Sequence, residues 1–207
     1  MTSELVEPNQ ALTSGQALQR LMEGNQRFVS GQMCHAHQAA DWRKHLASGQ
    51  QPIATILACS DSRVPPELVF DQGFGDLFVV RVAGNIIDSD ILGSIGYGLI
   101  HLKTPLVVIM GHEGCGAVTA ALKMIDGLAH ESHYIAGLLN HIIPGLAELE
   151  TGKEAESRVN RAVEQNVRQS AQRLREVWEG SSLLSGLEFD LTQAVYKLET
   201  GRVKFLH

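Results

Sequence analysis

At 207 residues, with 44% hydrophobic and 19% charged residues, the chain is sized and composed for one folded domain rather than a disordered segment. A net charge of −6 with no basic block excludes the electrostatic footprint of a nucleic-acid or anionic-membrane binder. The apolar runs around 91–100 and 105–110 are too short and glycine-broken to span a bilayer. The first residues lack a secretory signal, and three cysteines, an odd number, point to reduced thiols in a cytoplasmic compartment.

In chain order, Leu18, Leu21, Met22, Phe28 and Val29 fall on one helical stripe, which predicts an amphipathic helix over 14–30 with Thr13 to Gln16 as its capping box. A second helix is expected from Asp41 to Ser48. IATILAC (53–59) reads as a buried strand, and Pro65-Pro66 opens a short helix. LFVVRV (77–82) is a second strand leading into the turn AGN. A helix over 88–102, a strand PLVVIMG (105–111) and a helix over 115–125 follow. Residues 130–150 and 155–178 are further helical segments, the latter carrying Val159, Val163, Val167, Leu174 and Trp178 on one stripe, with the charges of 153–176 on its wet face. LEFDLTQAVYKL, Thr200-Gly201 and RVKFL end the chain as strand, turn, strand. Short apolar strands separated by helices imply a mostly parallel α/β sheet flanked by helices, with an N-terminal helical arm and C-terminal hairpin strands at the sheet edge. We expect a single domain over 1–207, the arm being 1–50 and the α/β core 51–207.

Cys59 stands at the end of the first strand, and His112 and Cys115, in GHEGCGA, stand just past the third. In open α/β sheets such strand ends hold the ligand. Two thiolates and an imidazole suit a borderline-soft ion, zinc above all, and three protein ligands leave one position open, as in a catalytic site. Asp61 is a fourth candidate ligand on the loop after Cys59, and Arg63 is placed to hold that carboxylate away from the metal in a bidentate pair. Taken singly, a strand-end cysteine is more often an inert buried thiol and a lone histidine a core or capping residue. Both motifs at successive strand ends, with glycines at 111, 114 and 116 tightening the turn, carry the metal reading. Cys34-His35-Ala-His37 resembles a metal cluster but has no partner ligand near it in sequence, and reads as a solvated polar connector.

The motifs CSDSR, FVVRVAGN, GSIGYGLIHL and GHEGCGAV, in this order and at these intervals, resemble those of the β-class carbonic anhydrases, from about residue 14 to the C-terminus. The resemblance implies Zn2+, one per chain, on Cys59, His112 and Cys115, with Asp61 and Arg63 as the dyad that gates the fourth position. It further implies Gln50 (with Gln51 as competitor), the aromatic wall Phe78 and Tyr97, and the amide of Gly116 as substrate-binding groups. The implied reaction is reversible hydration of CO2 to bicarbonate and a proton, with hydroxide generated at the zinc. Ala83 and Ile56 would complete an apolar slot for CO2. The resemblance also implies a homodimer or a multiple of dimers, with the 14–30 helix packed on a neighbour and the glutamine and aromatics shared between subunits.

Val82, Gly96, Gln193 and Lys197 depart from residues common in that family, and none is a ligand. Ile56 replaces the tryptophan of the subgroup inhibited by bicarbonate at a second site, which argues against that allostery here. The rival functions are hydrolysis of carbon disulfide or carbonyl sulfide on the same zinc, a non-catalytic structural zinc protein, and a thiol-redox protein. The dyad speaks against the structural reading, and the lack of a C-x-x-C pair against the redox one.

Overall fold

In the computed structural model, which describes residues 12–147, 149, 155–180 and 186–206, alternate residues of each central strand face opposite layers. Strand β1 (Ala54–Ala58) sends Ala54, Ile56 and Ala58 to one core and Leu57 to the other. Strand β3 (Leu106–His112) divides Leu106, Val108 and Met110 from Val107 and Ile109 in the same way. Both strands are buried on both faces, which is why they read as unbroken apolar runs. With β2 (Leu77–Arg81), β4 (Asp190–Tyr196) and β5 (Val203–Leu206) they form a sheet in the order β2-β1-β3-β4-β5. All its pairings are parallel except the terminal β4–β5 hairpin.

Helix α1 (Ser14–Ser30) starts at the expected capping box, Thr13 accepting from the Gln16 N–H while the Gln16 side chain accepts from the Thr13 N–H. Its stripe turns inward on its own chain. Ala17 and Leu21 are fully buried in the core that includes Ile56, Phe70 and Met110, so this face of the helix packs on the chain's own sheet, while Met22 of the predicted stripe is exposed. The short α2 (Ala40–Leu46) and α3 (Pro66–Val69) lie in the connections around β1.

On the opposite face pack α4 (Ser89–Ile100), α5 (Gly116–Ile125) and the long α8 (Ala155–Glu179). The 130–150 segment is two short helices, α6 (His133–Leu139) and α7 (Ile143–Leu146), because Pro144 resets the chain at the start of the second. Positions 1–11 of the expected arm, 148 and 150 of that segment, and 153–154 of the charged face lie outside the described residues. No helix among the described residues is long and apolar enough to cross a membrane.

Candidate metal centre

The strand order reverses at β1, with β2 on one side and β3 on the other. The crevice at the carboxyl ends of β1 and β3 is therefore a topological switch point, where open α/β sheets hold ligands. Cys59 follows β1 directly, His112 is the last residue of β3, and Cys115 caps the N-terminus of α5. All three are buried, and one ligand atom of each lies within 4.8 Å of the others.

The two sulfurs are 3.9 Å apart. Two sulfurs bound at about 2.3 Å to a tetrahedral zinc stand roughly 3.8 Å apart, whereas a disulfide requires about 2.05 Å. His112 Nδ1 donates to the Glu113 carbonyl at 2.9 Å, which fixes the tautomer and leaves the lone pair on Nε2. That Nε2 is buried and has no hydrogen-bond partner. A buried, unpartnered imidazole lone pair beside two thiols fits a metal ligand, with its outer nitrogen already oriented.

Cys59 and Cys115 compete for one negative charge, and Cys59 holds it. The neighbouring Cys115 thiol, with the backbone N–H groups of Gly84 and Asp61, outweighs the cost of burial and brings Cys59 down to about 4 from an ordinary 9.0. The Cys59 sulfur and burial push Cys115 up, although the Val118 and Ala117 amides at the start of α5 pull the other way. A divalent cation would satisfy both thiolates at once.

Asp61 lies beside this group and is turned to Arg63. Its Oδ1 accepts from Arg63 Nε at 2.9 Å and from the Arg63 backbone N–H at 3.0 Å, and its Oδ2 accepts from the second guanidinium nitrogen at 2.7 Å. The Arg63 hydrogen bonds hold the carboxyl well below the usual carboxylate range. Asp61 Oδ2 nevertheless stays 3.8 Å from His112 Nε2. Arg81, at the end of β2, clasps the loop from outside: its guanidinium donates to the carbonyls of Cys59 at 3.1 Å and Asp61 at 2.6 Å.

Gly116 opens α5 next to Cys115. The other expected substrate groups stand elsewhere in the chain. Phe78 pairs with Thr55, four residues before Cys59, or about 13 Å along the strand. Tyr97 stacks on Phe78 with ring centroids 6.0 Å apart and is half exposed, and Gln50 precedes β1 altogether. Ile56 does not belong to an apolar slot with Phe78: it is fully buried in the opposite layer, because side chains alternate along β1.

In the segment Cys34–His37, Cys34 and His35 are exposed, as expected of a solvated connector, but the segment is anchored and His37 is buried. Asp71 accepts from the backbone N–H groups of Cys34 and His35, and His37 is buried against Asp76 and stacked on Trp42. Among the described residues, the only candidate metal group is Cys59, His112 and Cys115.

Sequence reasoning assigned no role to Arg81, Gly84, Asn166 or Ser170. The last two left a signal, since they are polar residues one helical turn apart on the face of α8 that the stripe marks as buried.

The sequence model of the carbonic anhydrase family matches residues 54–203. "Carbonic anhydrase 2" of Mycobacterium tuberculosis is 40% identical over 187 residues, 90% of this chain and 89% of that protein. The β-carbonic anhydrase CcaA superposes with a TM-score of 0.71 at 27% identity, covering 92% of this chain and 95% of its own. The Coccomyxa β-carbonic anhydrase, solved in complex with acetazolamide, gives a TM-score of 0.71 at 26% identity over 91% of this chain and 86% of its own.

Proposed function

The chain belongs to the β-carbonic anhydrase family of lyases, and from that premise we propose that it hydrates carbon dioxide reversibly on one zinc ion per chain held by Cys59, His112 and Cys115. The observation that carries this reading is the buried, unpartnered Nε2 of His112 beside two sulfurs 3.9 Å apart. Zinc in such a site supplies Lewis acidity, which brings the ionisation of water toward neutral pH.

The chain's own residues supply the rest. Asp61, kept ionised and oriented by Arg63, presents a carboxylate oxygen beside the open side of the centre, where it accepts a hydrogen bond from the incoming nucleophile and fixes its direction. With zinc bound, Arg63 would also hold Asp61 away from the ion. The Gly116 amide, in the first turn of α5, offers an N–H for the oxygen that becomes negative as bicarbonate forms.

Gln50, Phe78 and Tyr97 belong to the same reaction through a second copy of the chain, in a homodimer or a multiple of dimers. Their position toward the amino ends of the strands, and the exposure of Tyr97 and Ile100, fit a surface that another subunit covers. Three ligands with a carboxylate held aside favour catalysis over a structural zinc. Two thiols that must stay reduced to bind metal suit a cytoplasmic setting. Stopped-flow CO2 hydration before and after chelation, with zinc content measured in parallel, tests the reading. We expect about one zinc per chain and activity that vanishes with it and returns on zinc addition. Full activity in zinc-free protein would refute it.

A further inference from the structure

Helix α8 buries Ala162, Val163, Val167, Ala171, Leu174 and Trp178 against the sheet, and in the middle of that apolar face it also buries Asn166 and Ser170. Buried polar groups are destabilising unless they are hydrogen-bonded, so their partners explain why they are there. Asn166 Nδ2 donates to the Gly84 carbonyl at 2.8 Å, and Ser170 Oγ donates to the Asn85 carbonyl at 3.1 Å. These are consecutive carbonyls of the single 3-10 turn Ala83–Asn85, which directly follows the end of β2.

The turn has an unusual backbone. Gly84 and Asn85 both adopt positive φ, at 69° and 42°. Such a conformation is strained for Asn85 and persists only where its surroundings hold it. At Gly84 the strain is avoided by the residue type, and a side chain there would also meet Ile142 and Ala117 at 2.7 and 3.1 Å. The conformation aims the Gly84 N–H at Cys59 Sγ, 3.3 Å away.

We infer that Asn166 and Ser170 are positioning residues for the metal ligand Cys59: from α8 they clamp the Ala83–Asn85 turn so that the Gly84 N–H stays on the Cys59 sulfur. An N–H bonded to a metal-bound thiolate draws charge from the sulfur and fixes its direction, and outer groups of this kind govern metal affinity about 10- to 100-fold. Helix α8 thus reaches the metal without supplying a ligand. The inference rests on the centre being a zinc site.

The test compares zinc affinity, by competition with a chromophoric chelator, in wild type, Asn166→Ala, Ser170→Ala, Ser170→Thr and Val159→Ala. Ser170→Ala removes a single hydroxyl and leaves the helix packing in place, and Val159→Ala is a control on the same helix. Cobalt(II) is then substituted for zinc and the sulfur-to-metal charge-transfer band recorded. Asn166→Ala and Ser170→Ala should bind zinc about 10-fold more weakly and shift that band, as Cys59 loses its N–H and donates more charge. Ser170→Thr, which keeps the hydroxyl, and Val159→Ala should match wild type in both readouts. Wild-type affinity and an unshifted band in both alanine variants would overturn the clamp. A wild-type protein that binds no zinc would instead overturn the metal reading beneath it.

Discussion

Asp61 offers both carboxylate oxygens to Arg63, yet its Oδ2 lies 3.8 Å from the imidazole nitrogen that faces the metal position. Removing the guanidinium frees a carboxylate that needs only a short swing to occupy the open coordination position. Arg63→Ala should therefore lose about 100-fold in kcat, the scale of losing one oriented polar group at a reacting centre, while atomic absorption still finds a full complement of zinc. An Arg63→Ala enzyme as fast as wild type would sink the gate and leave the ligands standing. Because Arg63 depresses the Asp61 pKa, the stabilisation from their pairing is present above the unfolded carboxylate value and is lost only as pH falls through the lower folded value. Asp61 stays ionised through neutral and alkaline pH, so its titration cannot shape the rate there. A centre with two thiolates is nearly neutral and should acidify water less than a three-histidine site, whose value is about 7, so hydration should still be rising above pH 7. A flat profile from neutral to alkaline pH would contradict this. The candidate ligands were legible because cysteine and histidine at strand ends are chemically distinctive. Arg81 and Gly84 were not, because each acts through backbone groups whose positions only the folded chain defines.

Among the elements, α1 shows how much an amphipathic stripe leaves open. Its capping box and its inward face could be read from spacing, but periodicity says that a face is buried and not what buries it. The face covers the chain's own sheet, and one polar residue in it fixes the docking. Asn25 is buried, donates to the carbonyls of Val69 and Gly201 at 3.0 and 2.8 Å, and accepts from the Val203 N–H at 2.9 Å. It therefore ties α1 both to the end of α3 and to the first residue of β5. Asn25→Ala should leave three main-chain groups without partners and cost about 3 kcal/mol in urea unfolding. The zinc content of the folded fraction should not change, since none of these contacts reaches the centre. A loss below about 0.5 kcal/mol, the level of an ordinary surface change, would show that α1 is held by its apolar face alone. Helix α8 carries the complementary lesson. Its apolar stripe was evident from Val159 to Trp178, but the meaning of Asn166 and Ser170 within it depended on a turn some eighty residues earlier in sequence.

For the whole molecule, the geometry separates two sets of residues that the proposed reaction would need together. Cys59, His112 and Cys115 lie at the carboxyl ends of β1 and β3, whereas Phe78 and Tyr97 lie toward the amino ends and Gln50 lies before β1. The mostly parallel sheet followed from the alternation of strand and helix, but neither its strand order nor the residues that meet across a subunit boundary can be read from one sequence. If a second copy closes the cleft, two variants broken at opposite ends should repair each other. Cys115→Ala lacks the metal site but keeps Gln50, and Gln50→Ala keeps the metal site but lacks the substrate group. Each should be inactive alone. Dissociated, mixed and reassembled, they should regain about a quarter of wild-type hydration, because random pairing makes half of the dimers mixed and one site in each mixed dimer is intact. If Gln50 served the centre of its own chain, every mixed dimer would lack one group at each site, and mixing would restore nothing. Light scattering on the same samples must show assemblies rather than the 22.5 kDa chain. A fully active monomer, or a mixture as dead as its parts, would remove the shared cleft while leaving the zinc ligands and the α8 clamp to be judged by their own measurements.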